Sequence, residues 1–318
     1  MHEIRSGVRA MRTPGLLLAV CLAACSPYEY SKEVAGFGAG VDHLAAAFDA
    51  GYANLAVDQA SATRQRLLDK RPVIHMTRSC GAPVGPSALS QQPCALYGAG
   101  DKEPTLPDLQ RSQANARKAL QGLTLYVHGL QAVTDAADRK AYNEAAKRLE
   151  GGVANLASAA NAALPGAGII APAVVNVALW VVGAALDEDR FDTLKAAVNS
   201  GSSYLPTVAA YLATALDEIN NARRDVLFWD VDGLVAPLGT RLAGAGYKER
   251  YEQAEAQLAK LDALRHASAA QATKDLLKAH EELKQAVNDP SRNIAPLVNS
   301  VTEFVAAAKR VKDAVSRQ

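Results

Sequence analysis

The sequence is poor in aromatic residues and in cysteine, and it has no excess of charge of one sign. Aromatic side chains make up 5% of the 318 residues, and there are 4 cysteines. So few cysteines in a chain of this length exclude a disulfide scaffold of the kind found in small secreted domains. The formal net charge of +1 provides no electrostatic basis for nucleic-acid binding. The 49% hydrophobic fraction excludes wholesale disorder.

Sequence motifs for catalysis, metal binding or phosphate binding are also lacking. The segment His280-Glu281-Glu282 has no second histidine at the spacing of a zinc-binding helix. In Asp230-Val231-Asp232-Gly233 the glycine comes too early for a calcium loop, so we expect a turn there. Neither a phosphate loop nor a nucleophile elbow occurs. The sequence therefore predicts no catalytic residue, no metal, no cofactor and no small-molecule substrate, which favours a role other than that of an enzyme.

The first 24 residues have the pattern of an export signal. An uncharged apolar run at residues 16–24 follows a basic stretch that contains Arg5, Arg9 and Arg12. As a helix this run reaches about 14 Å, roughly half of a hydrocarbon core of about 30 Å, so it does not span a bilayer. Translation from Met1 or from Met11 leaves a complete leader.

The apolar run ends in Leu22-Ala23-Ala24-Cys25, which resembles the lipobox of bacterial lipoproteins. The resemblance implies cleavage before Cys25, diacylglycerol on the Cys25 thiol, and acylation of the new amino group, with palmitate as a typical chain. Two or three acyl chains anchor a protein durably, whereas one does not. Ser26 stands where aspartate would retain a lipoprotein in the inner membrane of many Gram-negative bacteria. The resemblance thus implies a bacterial cell-envelope protein on the outer membrane, facing the periplasm.

Export leaves two cysteines unassigned, Cys80 and Cys94, in an oxidising compartment. We predict a disulfide between them that closes a loop of about fifteen residues. The alternative is a thiol nucleophile at Cys80 with His75 nearby.

Apolar residues recur at the helical period along most of the mature chain. Scarce aromatics and abundant alanine favour closely packed helices over sheets. The prediction is an all-α, elongated bundle of five to seven helices at residues 41–318, which follows a lipidated tether at 25–40. The glycines at 36–40 are expected to form a flexible helix entry. Further helices are expected at 41–68, 108–150, from Pro206, at 241–287 as one long coiled-coil-like helix, and at 294–316.

An insertion at about residues 70–107 interrupts the helical pattern with prolines, glycines and the cysteine pair. The segments 73–77 and 95–97 are predicted to form a small hairpin or loop that the disulfide staples. Long ordered loops often carry function. The insertion is therefore either a functional loop or a connector tied down for stability.

The segment from Gly151 to Leu186 contains no charged residue, and Asp187-Glu188-Asp189-Arg190 follows it as an expected solvated patch. An uncharged helical hairpin between amphipathic helices resembles the membrane-inserting head of helical pore-forming toxins of the cytolysin A type. An all-apolar helix is otherwise typical of a buried core. The segment is therefore either core or a hairpin that binds a membrane or partner, with candidate residues Gly166, Pro172, Val175 and Trp180.

The sequence thus indicates a membrane-anchored envelope lipoprotein of non-catalytic binding or scaffolding type. Its expected partners are the membrane, through lipid on Cys25, and another envelope protein. The alternative is a membrane-active helical protein that uses the hairpin at 151–186.

The predicted disulfide has a direct test. Mature protein taken from the envelope and denatured without reductant should show no thiol that reacts with maleimide at Cys80 or Cys94. Reduction should lower the free energy of unfolding by roughly 3 kcal/mol, because the closed loop restricts the unfolded chain. The same protein reduced before labelling is the control. Stoichiometric labelling of either cysteine without reduction would contradict the pairing and favour the thiol nucleophile.

Overall fold

The computed structural model of the protein describes residues 28–81, 96–101, 109–163, 186–239 and 246–317. In these ranges the chain forms eight α-helices, and the all-α bundle predicted from the sequence is confirmed. The helices are α1 (Tyr28–Lys70), α2 (Leu109–Asp135), α3 (Arg139–Ala163), α4 (Leu186–Gly201), α5 (Leu205–Val235), α6 (Tyr247–Arg265), α7 (Ala269–Asn288) and α8 (Ala295–Val315). Short 3-10 helices occupy Arg78–Gly81 and Ala236–Gly239.

The long helix α1 is central to the bundle and packs against α2, α5 and α8. Its inward stripe includes Val34, Phe37, Val41, Leu44 and Phe48, all buried. These positions recur every three or four residues, so they share one face of the helix. Burial of this stripe, rather than helix propensity alone, accounts for a helix that continues through several glycines.

Helices α2 and α3 form an antiparallel pair in which glycines bring the two backbones close together. A Cβ added to Gly122 would lie 2.9 Å from the carbonyl oxygen of Asn155, and one added to Gly152 would lie 2.7 Å from that of Leu125. Neither position has room for a side chain without movement of a backbone. The small residues of the uncharged segment therefore serve close helix packing at this interface.

The glycine stretch at 36–40 is not a flexible helix entry, and the predicted tether at 25–40 is too long. Helix α1 already begins at Tyr28, and Tyr30 is buried with its hydroxyl donating to the carbonyl of Ala286. The glycines lie inside α1 because α8 packs directly over them. A Cβ on Gly36 would meet Val301 at 2.8 Å, and three ring atoms of Phe304 lie closer than 3.0 Å to one on Gly40.

The long helix predicted at 241–287 is divided into α6 and α7. The chain leaves the helical conformation at His266, and the Ser268 hydroxyl accepts a hydrogen bond from the backbone N–H of Gln271 at 3.1 Å. Such a side-chain cap replaces one of the hydrogen bonds that the first turn of a helix lacks. The polar serine in an otherwise periodic pattern therefore begins a new helix.

Two further expectations are corrected. The predicted turn at Asp230–Gly233 lies inside α5, which continues to Val235 and buries Leu227 and Leu234 on either side of the predicted turn. The predicted solvated patch at 187–190 is the first turn of α4, and there Asp189 and Arg190 are buried. Acidic residues suit this position because the N-terminal end of a helix attracts negative charge.

The predicted hairpin in the insertion is present as the strands β1 (Ile74–Met76) and β2 (Leu96–Gly98). They pair in antiparallel register, with Ile74 opposite Gly98 and Met76 opposite Leu96. The hairpin sits on the end of α1, since a Cβ on Gly98 would meet Pro72 at 2.8 Å and Leu67 at 3.3 Å. The rest of the insertion, at 82–95 and 102–108, lies outside the described residues.

The contact of Gly40 with Phe304 generates a prediction with a matched control. Gly40→Ala should lower the free energy of unfolding by about 1–3 kcal/mol, because the added methyl group overpacks a buried aromatic ring. Gly151→Ala, at a helical glycine with nothing within 4 Å of the added Cβ, should raise it by up to about 1 kcal/mol. Urea unfolding followed by circular dichroism measures both. Equal effects of the two changes would show that α8 does not rest on Gly40.

Candidate interaction surface

Among the predicted site residues, the structure describes one, Cys80. It is half-buried at the end of the hairpin, with its sulfur 3.4 Å from Oγ1 of the buried Thr77. The nearby His75 lies on β1 with its ring 5.6 Å from that of Tyr97. The pairing of the two cysteines stays a prediction, since the others lie outside the described residues: Cys25, Cys94, Gly166, Pro172, Val175 and Trp180.

The first arm of the uncharged segment is described as far as Ala163, and it belongs to the core. Six of its side chains or backbone positions are buried in α3: Gly152, Val153, Leu156, Ala157, Ala159 and Ala160. Helix α3 packs most extensively against α2, whose backbone lies directly against Gly152. Over the described part of the chain, no helix has both the length and the apolar character needed to cross a membrane.

Buried charges join the end of α8 to the middle of α1 and of α5. The Arg223 side chain is 1% exposed, and its Nε lies 2.8 Å from Oδ2 of Asp58 on α1. Its Nη1 donates to the backbone carbonyl of Val315 at 2.7 Å, and the Asn54 amide donates to the same oxygen at 2.7 Å. Because Val315 is the last residue of α8, its carbonyl lacks a partner within the helix. This arrangement satisfies the buried end of α8 and holds it against α1 and α5.

A second polar group lies where α3 meets α4. Arg139 forms an ion pair with the buried Asp189, and Arg190 donates to Asp187 at 2.7 Å. The Tyr142 hydroxyl donates to the carbonyl of Asp189 at 3.2 Å. These contacts are made within and between helices, so their effect is to fix the position of α4. Within the described ranges, no group of three His, Cys, Asp or Glu side chains is placed to bind a metal ion.

A hydrogen-bonded pair of ionisable side chains lies deep in the core. The Tyr126 hydroxyl on α2 is 2.8 Å from Nε2 of His280 on α7, and the Phe37 ring lies 6.0 Å from the imidazole. Burial raises the pKa of Tyr126 and lowers that of His280 to about 4. The nearby Glu281 raises the histidine pKa and Lys284 lowers it, but both effects are smaller than that of burial. Both groups are therefore neutral near pH 7.

Helices α1 and α5 extend together beyond the end of α8. A Cβ on Gly51 would contact both Ile219 and Val315, and Asp58 binds Arg223, so α1 and α5 run in the same direction here. Past this level α1 continues for about 18 Å to Lys70, at 1.5 Å per residue. We call this end of the molecule the distal extension; its described parts are residues 57–81, 96–101, 224–239 and 247–258.

Exposed hydrophobic side chains are concentrated in the distal extension. It holds about a quarter of the described residues. Yet it carries twelve of the fourteen large hydrophobic side chains that are exposed in the described ranges: Val57, Leu68, Val73, Ile74, Met76, Leu96, Phe228, Trp229, Val235, Tyr247, Tyr251 and Leu258. Single exposed hydrophobic residues are ordinary, but their concentration at one place is typical of an interaction surface. This end is therefore the candidate functional site.

Basic side chains lie in the last turns of α1 and beside β1 within the distal extension. Arg64, Lys70, Arg71 and Arg78 are exposed, and Arg66 pairs with Asp101 at 2.9 Å. From residue 64 to residue 101 the sequence holds five Lys and Arg against two Asp, a local charge of +3 in a chain of net charge +1. The parts of the distal extension at 224–239 and 247–258 hold three Lys and Arg against six Asp and Glu, so the positive charge is confined to the hairpin and the end of α1. A count of charge along the sequence would have found this segment.

Comparisons of the chain with protein families, with curated proteins and with solved structures find no match. The candidate site thus depends on the chain's own residues. Sequence reasoning missed the buried pair Asp58 and Arg223, which are 165 positions apart and have no local pattern. It also missed the exposed aromatic pair Phe228 and Trp229, whose rings meet edge to face at 5.6 Å.

The buried histidine generates a pH prediction. His280 has a lower pKa in the folded chain than its ordinary value of 6.5, so the unfolded chain binds the additional proton. The free energy of unfolding should therefore fall by roughly 3 kcal/mol as the pH is lowered from 6.5 to 4. His280→Gln places an amide, which can hydrogen-bond but does not titrate, near the Tyr126 hydroxyl, so this part of the pH dependence should disappear. The free energy of unfolding of both proteins is measured by urea unfolding at a series of pH values. The same dependence of this free energy on pH in both proteins would contradict the assignment.

Proposed function

We propose that this protein is a non-catalytic lipoprotein of the bacterial cell envelope that binds or scaffolds another envelope component. The observation that carries the proposal is Leu22-Ala23-Ala24-Cys25 at the end of a basic and apolar leader. Helix α1 begins at Tyr28, three residues after the proposed lipidated cysteine. The acyl chains would therefore attach beside the end of the bundle at which α1 begins. The outer membrane, facing the periplasm, is the proposed location.

The position of the exposed hydrophobic residues supports a binding role. They lie at the opposite end of α1 from Tyr28, and 43 helical residues separate the two ends by about 64 Å. An anchor at one end and an apolar surface at the other is the arrangement expected of a protein that reaches away from its membrane to a partner. A concentrated apolar surface is otherwise costly to leave in water.

The burial of the first arm weighs against the membrane-active alternative. Leu156 and Ala160 are fully enclosed in the bundle, and Gly152 contacts the backbone of α2. Release of this arm into a membrane would expose the facing surface of α2. The bilayer anchor we propose is therefore the lipid on Cys25 rather than the uncharged hairpin.

The anchor has a matched pair of variants in the leader. Cys25→Ala should abolish incorporation of labelled palmitate and move the protein from the detergent phase to the aqueous phase, because the acylated thiol is removed. Cys21→Ala, four residues earlier and before the predicted cleavage site, should label as the unchanged protein does. Metabolic labelling followed by detergent partition measures both. Palmitate incorporation into Cys25→Ala would refute the lipoprotein assignment.

A further inference from the structure

One face of the hairpin is apolar and open to solvent. Ile74, Met76 and Leu96 are 50%, 62% and 53% exposed. Ile74 and Met76 are two residues apart on β1, and Leu96 is directly opposite Met76 on β2, so all three lie on the same face. A two-stranded hairpin is at best marginally stable in water when nothing covers it. This face is therefore suited to contact with another apolar phase.

The charge around this face restricts what the hairpin contacts. Arg64 and Lys70 lie in the last turns of α1, and Arg71 follows directly, all exposed. The Asp101 carboxylate, which is the nearest described anion on the hairpin, is engaged by Arg66 at 2.9 Å. Asp69 in the same turn of α1 offsets one of the three formal charges of Arg64, Lys70 and Arg71, and the surplus of two positive charges is complementary to an anionic surface. Exposed aliphatic side chains among lysines and arginines are the composition of surfaces that lie in the interface of an anionic bilayer.

We propose that the hairpin and the last turns of α1, at residues 64–78 and 96–101, bind the surface of an anionic phospholipid bilayer. Ile74, Met76 and Leu96 enter the interfacial region, and Arg64, Lys70 and Arg71 contact the headgroups. Binding of a second bilayer by the hairpin would deepen the proposed function. The joining of two membranes rests on that function, because it requires the lipid anchor on Cys25. With Cys25 anchored in one bilayer and the hairpin about 64 Å away along α1, the protein joins two membrane surfaces.

Vesicle capture tests the inference with the full-length lipidated protein. The protein is reconstituted into phosphatidylcholine vesicles, washed, and mixed with fluorescent vesicles of phosphatidylcholine alone or with about 30% phosphatidylglycerol. Capture of the anionic vesicles but not of the neutral ones is expected. Higher salt should weaken capture, because screening shortens the range of the attraction.

Charge variants locate the binding surface. Arg64→Gln with Lys70→Gln should lower anionic vesicle binding about thirtyfold, since each basic residue near an anionic surface contributes roughly fivefold. Lys118→Gln with Lys147→Gln removes the same charge from exposed positions on α2 and α3 and should leave capture unchanged. Ile74→Asp should also lower capture, whereas Val298→Asp on α8 should not. Thermal melts establish that every variant is folded.

The outcomes separate this inference from the proposed function. If the protein stays in the neutral vesicles but captures neither neutral nor anionic fluorescent vesicles, its anchor is intact and bilayer binding by the hairpin is refuted. Equal capture of neutral vesicles, or unchanged capture by the Arg64 and Lys70 variant, refutes it as well. Clumping of protein-bearing neutral vesicles with one another would identify a second copy of the chain as the occupant of the hairpin face. Protein that fails to enter neutral vesicles refutes the anchor alone, and its direct flotation with anionic vesicles then tests the hairpin.

Discussion

The packing of the bundle depends on the contact of the Phe304 ring with the backbone of Gly40. Side chains are excluded from Gly36 and Gly40 because α8 occupies the space that they would fill. Close approach of these two helices lets α1 bury Val34, Phe37 and Val41 over its first turns. Glycine normally weakens a helix. Here the loss of propensity is offset by the apolar surface that close packing removes from water.

The buried polar group around Arg223 decides where the bundle ends. Arg223 and Asn54 donate to the last carbonyl of α8, which would otherwise be a buried acceptor without a partner, and Asp58 pairs with the Arg223 guanidinium. Replacement of a buried ion pair by apolar residues is often tolerated, but removal of one partner is not, because the other charge stays desolvated. Beyond this point α1 and α5 continue without α8, and their side chains become exposed.

The two ends of the molecule consequently differ in chemistry. At the Tyr28 end, helix termini are packed together, as in the hydrogen bond from Tyr30 to Ala286. At the distal end, few helices remain, so at least half of the surface of Trp229, Ile74 and Met76 is exposed. A protein attached to a membrane beside Tyr28 would present this second end to its surroundings. The difference between the two ends follows from unequal helix lengths, since α1 has 43 residues and α8 has 21.

The sequence by itself determined the features that depend on neighbouring residues. The apolar period predicted the bundle, Pro206 marked the first turn of α5, and the segments at 73–77 and 95–97 indicated the hairpin. Only the tertiary structure decided that α1 passes through its glycines, that Asp230–Gly233 is helical, and that Arg190 and Arg223 are buried. It also decided that exposed hydrophobic residues distant in sequence lie at one end. These outcomes depend on which helices meet and how far each extends, and the local periodicity of a single chain carries no information about either.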